Sequence, residues 1–177
     1  MGTIFLPDNR VVREARIYRT AALLLEKQSL DGNSDLFWPA AMNAALAIEI
    51  YLKAFLVEED TPSIKLNAAG RKAKHDLAKL FRALPENVRT VIDEVNAEIA
   101  PTLSLEQTLG AYSDYFTNVR YGYEQDARKV IRGELFTLMD RMEQICVALA
   151  PVIVPAKSLL RKGSTEDRVS SGVSQAD

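Results

Sequence analysis

Glu49 and Lys53 stand four residues apart in a stretch, Pro39 to Val57, whose only other strongly polar side chain is Asn43. An acid one helical turn before a base is the favourable order for an ion pair, worth about 0.2–0.5 kcal/mol when exposed. Inside an apolar helix the same two groups need partners, because an isolated buried charge is far more costly. A second concentration of chemistry is Arg120-Tyr121-Gly122-Tyr123-Glu124, a fixed cation, two phenols and a carboxylate around a helix-weakening glycine. A guanidinium offers a planar fork to phosphate and a phenol offers a stacking face to a base, so nucleotide or RNA recognition is the chemistry these types suit. Tyr123 also continues an apolar stripe, and packing accounts for it equally. Arg120 is the expected partner of Glu49, a pairing that fits both a structural ion-pair network and a functional site.

A third group is basic: Arg71, Lys72, Lys74 and His75, followed by Lys79 and Arg82. It reads as a solvated face, with His75-Asp76 placed to cap the next helix. His75 is the single histidine and Cys146 the single cysteine, so a multi-histidine metal site, a zinc finger and an internal disulfide are excluded. No glycine-rich phosphate loop, Gly-x-Ser-x-Gly elbow or paired-cysteine spacing is present, and no cofactor is expected. With 22 Lys plus Arg against 24 Asp plus Glu in 177 residues, the net charge of -2 gives no global field for nucleic acid. Any such binding must use a local patch. The charged N-terminal region and the absence of a run near 20 apolar residues predict neither signal peptide nor membrane span, hence a cytoplasmic protein.

The elements that must position these groups are helices. Apolar residues recur at spacings of three and four, and no segment shows strand alternation. One stripe is Val11, Ala15, Tyr18, Ala22 and Leu25, with Asp8 as cap and Asp31-Gly32 as stop. A second is Ala41, Ala45, Ile48, Leu52 and Phe55, with Ser34 or Asp35 as cap. Residues 61–74 read as a loop containing Gly70. Short helices follow, one through Leu77 to Leu84 and one from Pro85 to Ile99. Ser104 and Gln107 match a capping box for a helix reaching Tyr123, and a long helix carries Leu135, Leu138, Met142, Ile145, Leu149 and Val152. The predicted fold is all-α, an antiparallel helical bundle of about five to six helices over residues 1–155, with residues 156–177 a polar, disordered tail. The second helix is apolar nearly all round, because Leu46, Ile50 and Val57 lie opposite its main stripe. That pattern fits either a central helix or one covered by a partner chain, and a homodimer is expected.

Taken in order, Asn43 to Leu56 with Glu49 and Lys53, then Lys74-His75-Asp76-Leu77, then Arg120 to Glu124, resemble the HEPN domain over roughly residues 5–155. The resemblance implies a dimerising helical bundle of prokaryotic defence or toxin–antitoxin systems, acting as a metal-independent ribonuclease or as a nucleotide-binding, non-catalytic relative. A nucleotidyltransferase or another toxin-system protein is the implied partner. Ribonuclease members place a histidine after the arginine with about four to six residues between them, whereas the corresponding window after Arg120 is Gln125, Asp126 and Ala127. The expectation is therefore a non-catalytic module binding nucleotide, RNA or a protein partner through Arg120, Tyr121, Tyr123, Glu124, Glu49, Lys53 and His75. The alternatives are a weak ribonuclease with Arg120 and Glu124 or Tyr123 as an atypical site, and a purely structural or regulatory dimeric subunit.

Overall fold

The computed structural model describes residues 7–58, 64–113 and 134–150. These residues form an all-α helical bundle, and no strand occurs among them. Helix α1 (Asn9–Leu30) starts where the Asp8 side chain accepts a hydrogen bond from the Arg10 amide at 2.8 Å. It ends at Asp31, and Gly32 follows at φ +117°, a conformation that side-chain-bearing residues rarely adopt. A single 3-10 turn (Ser34–Leu36) leads into α2 (Phe37–Ala54). Neither Ser34 nor Asp35 caps α2 by side chain; the 3-10 turn supplies the entry, and Pro39 sits in the first turn, where an amide donor is dispensable.

Helix α2 is the centre of the bundle and packs against α1, the short helix α4 (Leu77–Arg82) and α7 (Glu134–Leu149). Ala40, Ala41, Ala44 and Ala47 are fully buried, as are Ala15 and Ala22 on α1. Small side chains at these places let the backbones of two long helices approach closely. Ile48, Tyr51, Leu52 and Leu56 join Leu135, Leu138, Met139, Met142 and Ile145 of α7 in one continuous core. Leu46, Ile50 and Val57 are half-buried by the chain itself, so a central position accounts for much of the all-round apolarity of α2.

Between α2 and α4 the chain departs from the expected loop. Residues 68–73 form a helix, α3 (Ala68–Ala73), whose amide at Gly70 is capped by Asn67 Oδ1 at 2.8 Å. Gly70 is not a breaker here but a contact surface: a Cβ at that position would lie 3.2 Å from Leu56 Cβ. An isolated antiparallel bridge, Val57 with Leu66, ties the incoming and outgoing chain beneath it. Helices α5 (Glu86–Ile99) and α6 (Leu105–Ala111) complete the described set, making seven α-helices where five to six were expected, the added one being α3. Ser104 caps α6 through the Gln107 amide as expected, yet α6 stops at Ala111 rather than running on through Tyr112. Ser113 Oγ there turns inward, donating to the Leu109 carbonyl and accepting from the Ala78 amide at 3.0 Å, so it caps part of α4. The expected continuation to Tyr123, the last turn at Val152 and the tail lie outside the described residues.

Candidate functional site

Glu49 is 2% exposed, the most deeply buried of the charged side chains in the described core. Helix α2 fixes its backbone, and two side chains, Lys53 and His75, meet its carboxylate. Lys53, one turn on, places Nζ 2.5 Å from Oε1. His75 places Nδ1 3.0 Å from Oε2 and 3.1 Å from Oε1. The expected partner, Arg120, lies outside the described residues together with Tyr121, Tyr123 and Glu124. Of the predicted site residues, Glu49, Lys53 and His75 are therefore brought to one point. The pairing of Glu49 with Lys53 follows from helical spacing, whereas His75 arrives from 26 positions away.

The turn that delivers His75 is strained. Lys74 has φ 56° and ψ -113°, the geometry of the first central position in a type II′ turn, and the Asp76 amide donates to the Ala73 carbonyl across it at 3.3 Å. Glycine is the residue such a position favours, and a side chain there costs on the order of 1–3 kcal/mol. The strain persists because both sides of the turn are anchored. Before it, α3 rests on Leu56 through Gly70. After it, Asp76 caps α4 by accepting from the Lys79 amide at 2.9 Å and pairs with Lys79 Nζ at 3.0 Å. Burial pushes the Asp76 carboxyl up, but the Lys79 amide, the Lys79 ammonium and Ser113 together hold it below its ordinary value. The helix cap is thus Asp76, which leaves the adjacent imidazole to face Glu49.

The donor and acceptor roles of the two ring nitrogens follow from the tautomer that the carboxylate selects. An ionised carboxylate only accepts, so Nδ1 carries the hydrogen and Nε2 carries the lone pair whenever the ring is neutral. The His75 side chain is 53% exposed while its carboxylate partner is buried. A buried acid orienting a solvent-facing imidazole can present a directional cation to an anion, or a positioned base to a proton. Among the described residues no three His, Cys, Asp or Glu side chains converge to hold a metal ion.

Several partners had no local sequence signal. Tyr51, fully buried, donates its hydroxyl to Glu143 Oε2 of α7, and Arg16 of α1 clamps the other oxygen at 2.8 Å. Burial first, and the Glu143 hydrogen bond next, push the Tyr51 phenol above its ordinary value. Arg141 is 5% exposed, its Nη1 has no hydrogen-bond partner among the described residues, and burial pulls its guanidinium below the ordinary value. Asn96 donates to the Leu103 carbonyl at 2.9 Å, closing the corner after α5. No described helix is long and apolar enough to cross a membrane. Comparison with protein-family models, curated proteins and solved structures found no match to this chain.

Proposed function

We propose that this protein is a HEPN-like, non-catalytic binding module for a phosphate-bearing ligand, a nucleotide or RNA, working as a homodimer in a prokaryotic defence or toxin–antitoxin setting. One observation carries the reading: His75, half exposed, is pinned through Nδ1 to the buried Glu49 carboxylate beside Lys53. An anion arriving at this turn meets an oriented imidazole with Lys74 next to it, and the buried acid holds the ring in place. Titration of the purified chain with ATP and with a short single-stranded RNA should give saturable binding that falls at least tenfold in His75→Ala, with the fold intact by circular dichroism. Absence of binding to both ligands removes the reading. Light scattering at rising concentration should report twice the monomer mass, and a persistent monomer removes the dimer.

A second reading is favoured by the same Glu49–His75 pair. With Nδ1–H directed at the carboxylate, Nε2 is the atom that could take a proton from a ribose 2′-hydroxyl, as a metal-independent ribonuclease requires. It requires RNA cleavage in the presence of a chelator, lost in His75→Ala. RNA that stays intact through long incubation leaves the binding module alone.

A further inference from the structure

The groove between α3 and α4 holds about 420 Å³ and, among the described residues, is lined by Ala69, Lys72, Ala73, Lys79 and Ala83. We propose that it is a docking site for an acidic, amphipathic segment of a partner protein, whose apolar side chains enter the groove while its carboxylates meet Lys72 and Lys79.

The lining follows from helical spacing. Ala69, Lys72 and Ala73 share one face of α3, at i, i+3 and i+4, and Lys79 and Ala83 are one turn apart along α4. The described lining thus combines three methyl groups with two lysine side chains. The walls are held from behind, α3 by the seat of Gly70 on Leu56 and α4 by the Asp76 cap and the Ser113 hydroxyl on the Ala78 amide.

Charge selects the occupant. Residues 71–82 carry five cations, Arg71, Lys72, Lys74, Lys79 and Arg82, against one carboxylate, Asp76, in a chain whose net charge is -2. Arg71 is drawn toward Glu58, Arg82 is committed to Glu106 and Lys79 to Asp76, whereas Lys72 has no carboxylate within ion-pairing distance among the described residues. A partner carboxylate therefore finds one cation ready and a second, Lys79, that can be shared. The lining distinguishes peptide from nucleic acid. Single-stranded nucleic acid is gripped by aromatic faces on which bases stack, whereas the described lining offers the methyl groups of Ala69, Ala73 and Ala83. Small apolar side chains between lysines instead suit a helix or strand with alanine or leucine inward and Asp or Glu outward.

The test is selection from displayed random peptides of about 16 residues, some four helical turns, against the intact protein. Selected sequences should be rich in Asp and Glu, with apolar residues at spacings of three and four. A synthetic copy should lose about tenfold in affinity in Lys72→Glu and all measurable binding in Ala69→Trp, which fills the groove from an exposed position. His75→Ala should leave peptide affinity unchanged, which separates this site from the one proposed for phosphate. Failure to select peptides, a non-acidic consensus, affinity indifferent to both groove variants, or competition by decauridylate would each overturn the proposal.

Discussion

Glu49 shows how much a single residue type in the wrong surroundings announces. A carboxylate between Ile48 and Ile50 on a helix of alanines must find a cation, and spacing alone nominates Lys53. Nothing local nominates His75, because the contact depends on where the turn after α3 folds back. Glu49→Gln keeps the shape and removes the charge that holds both partners. It should cost about 1–3 kcal/mol, the range for disturbing a buried charged hydrogen bond, read as a lowered urea midpoint. In the same variant the His75 ring signals in an NMR spectrum should move toward those of a free imidazole. Unchanged ring signals would show that Glu49 does not orient His75. Cys146 lies at the opposite extreme: it is fully buried, and desolvation raises its thiol above the ordinary value. A disulfide reagent at pH 8 should therefore label it only as the chain unfolds, with a rate that tracks denaturant.

At the scale of elements, the helices with clean apolar periodicity were legible, as were caps that act on their own first turn. Asp8, Ser104 and the Asp31-Gly32 stop lie where the pattern puts them. Helix α3 was not legible, since Gly70 has the look of a breaker in sequence and shows its use only against Leu56. The turn linking α3 to α4 makes two separable predictions. Lys74→Gly relieves the positive φ without removing a side-chain hydrogen bond or ion pair seen among the described residues, so the urea midpoint should rise by the equivalent of about 1 kcal/mol. Asp76→Ala removes the cap of α4 and should cost about 0.5–2 kcal/mol at neutral pH. Because the folded carboxyl titrates below its ordinary 3.8, its contribution is complete above that value and is lost as pH falls through the lower folded value. The stability difference between wild type and Asp76→Ala should therefore be constant from pH 7 to about pH 5 and shrink below pH 4. A difference that grows on acidification would reverse the assigned shift.

For the whole molecule, three helices distant in sequence are joined at one point that runs from the buried Tyr51 out to the exposed Arg16, and no periodicity could have shown it. Arg16 of α1, Tyr51 of α2 and Glu143 of α7 form a chain of hydrogen bonds, with Arg19 and Asp140 paired at 2.9 Å in a parallel α1–α7 link. The two ends of the Tyr51–Glu143 bond are unequal. The Glu143 side chain is 17% exposed and keeps Arg16, so it can be hydrated when the phenol is lost. Tyr51 is wholly enclosed, and its hydroxyl has nowhere else to turn when the carboxylate is lost. Tyr51→Phe should accordingly cost about 0.5–1.5 kcal/mol, the net worth of one hydrogen bond, while Glu143→Ala should cost more, because a stranded buried hydroxyl adds about 1–3 kcal/mol. The double variant removes the stranded group together with its acceptor. It should be more stable than Glu143→Ala alone, so that a mutation destabilising in the wild type becomes stabilising in its background. Thermal unfolding would register this as a midpoint recovered by about 2–4 °C per kcal/mol for a chain of this size. Strict additivity of the two losses would mean that the short contact between phenol and carboxylate does not couple α2 to α7.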